Sequence, residues 1–349
     1  MVHRATPEQE KLFQQDYEEL SAQLHLGQEI LWLTRDECIQ AGPSIEETLV
    51  LTRRALEAHG RKEFEMPPKI GAHPWEDVFF HAMPAYVPDS KACGIKWIEC
   101  FPRNPKQFNL PQTTGLLVLN DIMTGVPYTV MDSSWLTAMR TPAVTALAAA
   151  ALHGDAETFG MFGCGVQGRE HVKYITRTLP KLKKIYVNDV RPEMADELIA
   201  EVQPQIEVEI VKADPKTIAT TCQVMSSATI ILLEPLSIVK REWVSKGQTI
   251  LPCDLNTFWA PAIAREADKY IVDSIDEHEL FASMGYFPEG LPAITCQTGE
   301  ILAGLKPGRT AKDELIVCSN IGISVCDVVM GRAIFDQALK TGLGRRLPL

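Results

Sequence analysis

The chain has 349 residues, of which 46% are hydrophobic and 23% are charged, and its formal net charge at pH 7 is −11. This is the composition of an ordinary globular protein, and the length suggests two domains at about 150 residues each. The acidic balance argues against a protein that binds nucleic acid or an anionic membrane, because either would need a basic face, and no apolar stretch reaches transmembrane length.

The N-terminus and the cysteines indicate a cytoplasmic protein. The chain is charged from His3 and Arg4 onward and lacks the apolar segment of a signal peptide. The nine cysteines form no C-x-x-C pair, and an odd number fits reduced thiols better than a disulfide framework or a zinc site. The eight histidines include no H-E-x-x-H motif, so we expect no metal.

The first part of the chain is predicted to form helices followed by a mostly antiparallel sheet. Phe13, Tyr17 and Leu20 recur at helical spacing, and Ser44 with Glu47 has the pattern of a capping box at the start of a second helix. Short β-rich runs, separated by Pro, Gly and Asn, follow at residues 78–80, 95–100, 116–119 and 128–131. The last two runs are joined by a short turn and predict a hairpin.

The second part is predicted to form an α/β domain. Thr141 and Pro142 indicate a helix start, because proline has no amide hydrogen to lose at the first helical position, and Gly154 indicates its end. Strand-like runs then alternate with helices, at residues 158–162, 185–188, 208–211, 224–225, 249–251, 270–272 and 315–318. This alternation predicts a parallel sheet with helices on both faces, and a final helix is predicted over residues 323–339.

The most specific motif is the G-x-G-x-x-G at residues 163–168, between a predicted strand and a predicted helix. In such a motif Gly163 permits the tight turn, Gly165 lets the backbone approach a pyrophosphate, and Gly168 allows close packing of helix on strand. Val166 and Gln167 stand at the start of the helix, whose N-terminus stabilises a diphosphate. These five residues are therefore candidate cofactor-binding residues.

The acid that such a motif requires is Asp189, which ends the next predicted strand at the usual spacing of about 20 residues. Its carboxylate can accept hydrogen bonds from the ribose hydroxyls and would repel a 2′-phosphate, which favours NAD. Arg191 lies two residues further on and leaves NADP open as an alternative. Ser227, beside a later predicted strand, is a further candidate for cofactor binding.

Several other short motifs occur in a fixed order along the chain. They are M-P-A-Y at residues 83–86, G-I-K at 94–96, D-I-M-T-G-V-P at 121–127, L-T-A-M-R-T at 136–141, the glycine motif, Asp254, and the segment 299–309. Together they resemble the ornithine cyclodeaminase/mu-crystallin family, over a region from about residue 83 to about residue 328.

The resemblance implies a two-domain homodimer that binds NAD(P) and transfers a hydride between the nicotinamide and the α-carbon of an amino acid or its imine. It implies a Rossmann dinucleotide-binding domain over residues 141–310. It also implies an α+β substrate-binding and dimerisation domain, with a mostly antiparallel sheet, formed by residues 1–140 and 311–349.

The resemblance assigns roles to four residues. A substrate α-carboxylate needs cations, and Arg140 and Lys96 match the family's carboxylate-binding residues, with Lys96 also a candidate catalytic group. The substrate nitrogen needs a proton acceptor, and Asp254 matches the family's catalytic aspartate. Thr141 either contributes a hydroxyl near the nicotinamide or caps the helix that begins there. The structural alternatives are a salt bridge for Arg140, a solvated lysine for Lys96 and a helix cap for Asp254.

Two positions depart from the family pattern. Lys69 stands where members usually carry an arginine that helps to hold the carboxylate, so the charge is kept without the bidentate fork. His81 stands where ornithine cyclodeaminase has a glutamate that holds the substrate amine. Because an imidazole holds an ammonium group poorly, His81 argues against ornithine as the substrate.

Three functions remain open from the sequence. The first is an NAD-dependent amino-acid dehydrogenase or imine reductase. The second is an ornithine- or lysine-type cyclodeaminase, in which the hydride is taken and returned within one cycle. The third is a non-catalytic protein that binds a nucleotide and a small ligand. The first two differ in whether NADH accumulates.

Overall fold

The computed structural model describes residues 5–75 and 77–349 and divides the chain into two compact units. The first unit consists of Met1–Arg140 and Ile323–Leu349, and the second is Thr141–Gly322. His3 and Arg4, on which the expectation about a signal peptide rests, lie outside the described residues. Within the described ranges, no helix combines the length and apolarity that crossing a bilayer would require.

The strands are β1 (Glu29–Leu33), β2 (Ile70–Ala72), β3 (Phe79–Val87), β4 (Ala92–Cys100), β5 (Thr113–Asn120), β6 (Pro127–Asp132), β7 (Thr158–Phe162), β8 (Lys184–Asn188), β9 (Glu209–Lys212), β10 (Val224–Ser227), β11 (Thr249–Pro252), β12 (Lys269–Val272), β13 (Cys296–Gln297), β14 (Ile316–Ser319) and β15 (Arg345–Pro348). The helices are α1 (Pro7–Ser21), α2 (Arg35–Gln40), α3 (Ile45–Arg61), α4 (Asn104–Gln107), α5 (Ser134–His153), α6 (Val166–Thr178), α7 (Pro192–Val202), α8 (Pro215–Thr221), α9 (Pro261–Arg265), α10 (Ile275–Ser283), α11 (Thr298–Leu302) and α12 (Ser324–Thr341).

The first unit contains a seven-stranded sheet in the order β15-β1-β6-β5-β4-β3-β2. Its neighbouring strands are antiparallel except for β1 and β6, which are parallel. The predicted mostly antiparallel sheet is therefore confirmed, and the predicted hairpin is β5–β6. The capping box at the start of α3 is also confirmed, because Ser44 and Glu47 cap each other's backbone amides. Strands β1, β2 and β15 were not predicted from the sequence.

Helix α12 covers one face of this sheet and determines which side chains are buried there. A Cβ atom on Gly331 of α12 would lie 2.0 Å from Leu117, so the helix packs directly on β5. Leu117 pairs with Lys96 on β4, and Lys96 pairs with Met83 on β3. Cross-strand partners share a face of the sheet. Lys96 therefore points to the buried face beneath α12.

The predicted start of a helix at Pro142 is wrong. Helix α5 begins at Ser134, and Pro142 lies inside it. The side chain of Asp132 accepts hydrogen bonds from the backbone amides of Ser134, at 2.9 Å, and Trp135, at 3.4 Å, and so satisfies the first amides of the helix. Arg140 consequently lies within the helix and not before it, and Thr141 does not cap it. The predicted end at Gly154 is confirmed, because His153 is the last helical residue.

The second unit is a Rossmann domain with an eight-stranded, all-parallel sheet in the order β13-β12-β14-β11-β10-β7-β8-β9. The strand order reverses between β7 and β10, and ligands of such sheets bind beyond the carboxyl ends of the strands at that point. Because β14 pairs with β11 and β12, residues 311–322 belong with this sheet. The first unit therefore resumes at Ile323 and not at residue 311.

Candidate functional site

The glycine turn at residues 163–168 connects β7 to α6. The absence of a side chain has a different structural reason at each of its three glycines. Gly163 has φ +91°, and a Cβ atom there would lie 2.6 Å from the carbonyl oxygen of Ala228. A Cβ atom on Gly168 would lie 1.9 Å from the carbonyl oxygen of Gly163. Apart from the adjoining backbone, the described chain has no atom within 4 Å of a Cβ atom built on Gly165. The space beside Gly165, at the N-terminus of α6, therefore fits a diphosphate.

Asp189 is held beside this turn by two backbone amides. Its carboxylate accepts a hydrogen bond from the amide of Cys164 at 2.8 Å and one from the amide of Arg191 at 2.9 Å. Arg191 is exposed and is the N-cap residue of α7. Val166, at the start of α6, is also exposed. The structure thus brings the predicted glycines, Asp189 and Arg191 to one edge of the parallel sheet.

We expect Asp189→Asn to shift the cofactor preference toward NADP by about tenfold, measured as the ratio of the Kd values for NADP and NAD. The variant removes the charge that would repel a 2′-phosphate, while the amide oxygen can still accept the hydrogen bond from Cys164. Arg191→Ala is the matched control, because it should weaken NADP binding without a change in NAD binding. An unchanged ratio in the Asp189 variant would contradict this role.

Asp254 follows β11 at the same edge of the sheet and is completely buried. Its Oδ1 accepts a hydrogen bond from Ser227 Oγ at 2.6 Å, and its Oδ2 accepts bonds from Thr229 Oγ1 at 2.5 Å and from the Thr229 amide at 3.2 Å. Trp259 Nε1 in turn donates to Ser227 Oγ at 2.7 Å. Burial raises the pKa of Asp254, although the bonds from Ser227 and Thr229 oppose the rise.

This arrangement joins two predicted residues, Ser227 and Asp254, and adds Thr229 and Trp259, which the sequence analysis missed. Asp254 is not a helix cap, because the next helix, α9, has Ala260 as its N-cap residue. A Cβ atom on Gly163 would meet Ala228 and Thr229, so the glycine turn and the aspartate network are neighbours within the second unit.

The first unit contains a buried charge cluster formed by Lys96 of β4, Arg140 of α5 and Asp327 of α12. Lys96 Nζ lies 2.7 Å from Asp327 Oδ2, and Arg140 Nε donates to Asp327 Oδ1 at 2.9 Å. Lys96 and Asp327 are completely buried and Arg140 is 5% exposed. Lysine is almost never buried in this way unless it is paired. We refer to these three residues as the Lys96–Asp327–Arg140 cluster.

The surroundings lower the pKa values of both Lys96 and Asp327, but for different reasons. Burial, together with the charge of Arg140, lowers the pKa of Lys96 to about 7, while Asp327 opposes this change. Burial alone would raise the pKa of Asp327, but Arg140 and Lys96 outweigh it and hold this pKa below its usual range. Asp327 is therefore an anion at neutral pH, and Lys96 can gain or lose a proton there.

Lys69 and His81 belong to the same region of the first unit. Both are buried, and burial followed by the charge of Lys69 lowers the pKa of His81 to about 3. The charge of Lys69 also acts on Lys96. His81 Nε2 lies 3.4 Å from His73 Nε2, and the ring of His81 stacks on Phe79 with centroids 4.0 Å apart. The imidazole of His81 is therefore neutral at neutral pH.

The structure thus groups the candidate residues by unit. Lys69, His81, Lys96 and Arg140 lie in the first unit, together with Asp327, which the sequence analysis missed. The only signal for Asp327 was an acidic residue among the apolar residues in the first turns of α12. The nine cysteines are free thiols, and among the described residues no group of three or more His, Cys, Asp or Glu side chains could hold a metal ion.

The fold and these residues define a two-unit α/β protein, in which the second unit is a Rossmann dinucleotide-binding domain and the first unit buries a cation-rich cluster. The model of the ornithine cyclodeaminase/mu-crystallin family matches residues 35–342, and the chain belongs to this family.

Several known proteins are similar to this chain over almost its whole length. The nodulation efficiency protein NfeD of Rhizobium meliloti is 31% identical over 90% of this chain and 97% of its own length. The alanine dehydrogenase of Archaeoglobus fulgidus is 27% identical over 91% of this chain and 98% of its own length. The structure of Thermococcus litoralis Δ1-pyrroline-2-carboxylate reductase with NADH and L-proline has a TM-score of 0.80 at 25% identity, covering 90% of this chain and 99% of that one. An archaeal alanine dehydrogenase dimer with bound NAD has a TM-score of 0.80 at 26% identity, covering 91% and 99%.

Proposed function

We propose that this protein is an NAD-dependent oxidoreductase that transfers a hydride between the nicotinamide and the α-carbon of an amino acid or its imine. The observation that carries the proposal is the Lys96–Asp327–Arg140 cluster, which buries two cations around one carboxylate and so has a net positive charge when Lys96 is protonated. A substrate carboxylate would neutralise that charge.

The residues of the second unit fit NAD. The open space beside Gly165 and the N-terminus of α6 suit the pyrophosphate, and Asp189 suits the ribose hydroxyls. Thr141, Gln167 and Ser227 are further proposed contacts. When bound, NAD supplies the hydride acceptor in the oxidative direction and, as NADH, the hydride donor in the reductive direction.

The residues of the first unit are proposed to hold the substrate. Arg140 and Lys96 would bind the α-carboxylate, and Lys69 would add charge to the same region. A pKa of about 7 also suits Lys96 for proton exchange near neutral pH. Asp254, in the second unit, would accept the proton from the substrate nitrogen during oxidation and return it during reduction.

His81 favours the dehydrogenase or imine reductase over the cyclodeaminase. A cyclodeaminase acting on ornithine or lysine must hold a second ammonium group, which an anionic side chain does well. His81 is neutral because its pKa is lowered to about 3, and it lies near the cation Lys69. An ammonium side chain would therefore be repelled at this position.

The test is a substrate panel with both NAD and NADP. Oxidation would be followed by the rise in NADH absorbance with L-alanine, L-proline, L-aspartate, L-ornithine or L-lysine. Reduction would be followed by the fall in NADH absorbance with pyruvate plus ammonia or with Δ1-pyrroline-2-carboxylate. Net NADH change with an amino acid or imine supports the proposal. Ammonia release from ornithine or lysine without net NADH would establish the cyclodeaminase instead. NAD binding without either reaction would indicate a non-catalytic binding protein.

We also propose that the protein is a homodimer that associates through the exposed face of the antiparallel sheet. Trp97 and Leu116, which pair across β4 and β5, are 42% and 39% exposed, and Phe80 stacks on Trp97 with centroids 5.8 Å apart. A contiguous apolar patch on a protein surface is typical of an interaction site. A relative of 26% identity was solved as a dimer, which supports a second copy of this chain as the partner.

We expect Trp97→Lys to dissociate this dimer, because it places a charge in the apolar contact while the side chain is exposed enough for the fold to tolerate it. Light scattering after size-exclusion chromatography measures the mass. Val50→Lys, at an exposed position of α3, is the matched control and should keep the wild-type mass. A Trp97 variant that remains dimeric would place the interface elsewhere.

A further inference from the structure

Asp327 lies in the first turn of α12. Its presence there is not explained by exposure to solvent, because this part of the helix is buried. The neighbouring residues from Ser324 to Arg332 are buried, and Asp327 itself is completely buried. Its two carboxylate oxygens are used separately, Oδ2 for Lys96 and Oδ1 for Arg140. Three elements that are distant in sequence, β4, α5 and α12, therefore meet at one carboxylate.

The physical need for this carboxylate follows from the two cations. Lys96 and Arg140 repel each other, and burial makes each charge costly unless an anion lies nearby. A hydrogen bond from Arg140 Nε also fixes the plane of the guanidinium, which a carboxylate ligand requires for a well-aligned contact. Without Asp327, Lys96 would lose its proton more easily and the guanidinium would lose that constraint.

We propose that Asp327 is the positioning residue of the carboxylate site, bridging Lys96 and Arg140 so that the two basic groups lie side by side for one substrate carboxylate. This inference rests on the proposed function, in which these two cations bind substrate. Asp327 does not touch the substrate in this scheme; it acts through the cations. The cluster has one net positive charge when Lys96 is protonated, which a single substrate carboxylate balances.

The main test is Asp327→Asn, compared with Asp327→Glu. In the Asn variant we expect KM for the substrate identified by the panel to rise about tenfold or more at neutral pH, with a smaller change in kcat. The charged groups that act on Lys96 are Arg140, Asp327 and Lys69. Since Asp327 favours the charged form of Lys96, its removal lowers the pKa of Lys96. The fall of kcat/KM on the basic side should therefore move to lower pH, and Asp327→Glu should return it toward the wild-type position.

A second readout does not depend on turnover. The titration of Lys96 can be followed by NMR of ¹³C-labelled lysine, with the Lys96 signal assigned from a Lys96→Met variant. We expect the midpoint to be lower in Asp327→Asn than in the wild type and similar in Asp327→Glu. Asp336→Asn is the matched control, because Asp336 lies on the same helix but pairs with Arg332 at 2.8 Å. It should leave KM and the Lys96 midpoint unchanged.

The outcomes separate this inference from the proposed function. An inactive wild type in the panel would overturn the proposed function, while the Lys96 titration would still test the pairing. A wild-type KM and an unchanged Lys96 midpoint in Asp327→Asn would overturn the positioning role. If the Asn variant does not fold, Asp327→Glu decides. Glutamate keeps the negative charge, so the Lys96 midpoint should stay near the wild-type value, but its longer side chain displaces the cations. A raised KM with that midpoint therefore supports the positioning role, and a wild-type KM contradicts it.

Discussion

Gly168→Ala is expected to destabilise the second unit and to weaken NAD binding by about tenfold or more. The new Cβ atom would lie 1.9 Å from the carbonyl oxygen of Gly163 and 2.9 Å from its carbon. Both are backbone atoms, so the turn itself must move and no side chain can give way. Overpacking of this kind costs about 1–3 kcal/mol. At about 2–4 °C per kcal/mol for a domain of this size, the melting temperature should fall by several degrees.

Gly165→Ala separates the effect on the fold from the effect on the ligand. Apart from the adjoining backbone, no atom of the described chain lies within 4 Å of a Cβ atom at this position. The backbone angles, φ −71° and ψ −164°, are ones that alanine adopts without strain. The melting temperature should therefore stay at the wild-type value while NAD affinity falls, because the methyl group would occupy the space proposed for the pyrophosphate. Thermal melts and calorimetric NAD titrations measure both quantities. Wild-type stability and NAD affinity in Gly168→Ala would show that the turn tolerates a side chain.

The Rossmann unit could be predicted from the sequence because its signals are local. A buried parallel strand is a short continuous apolar run, and the glycines, the helix and Asp189 follow one another in a fixed order. Each predicted strand of that sheet is found within a few residues of its predicted bounds. Lys96 could be noticed for a similar reason, since a lysine inside an apolar strand is unusual.

What the sequence did not reveal depends on contacts between distant segments. Strand β1 pairs with β6 and β15, and neither pairing has a signal near β1 itself. Asp327 meets Lys96 and Arg140 only because α12 packs against β4 and α5. The start of α5 was misjudged for a different reason. Pro142 is a strong local signal, but the amides that Asp132 caps lie further toward the N-terminus.

Asp254→Asn is expected to lower kcat by about 10²–10⁴-fold while NAD affinity is unchanged, because the variant removes a proton acceptor and keeps a side chain of the same shape. The amide can still bond to Ser227 and Thr229, whose hydroxyls can reorient. Asp254 accepts a proton only as the carboxylate, so wild-type oxidation should fall as the pH drops through its raised pKa. The remaining activity of the variant should lack this acid-side decline.

Asp214→Asn is the matched control for this experiment. Asp214 makes the same kind of contacts, since Thr217 donates to it through its amide at 3.0 Å and its hydroxyl at 2.5 Å, but there the aspartate caps α8. Its replacement should change the melting temperature slightly and leave kcat and its pH profile intact. If Asp254→Asn also kept the wild-type kcat and profile, Asp254 would only brace the loop after β11, and another group would have to accept the substrate proton.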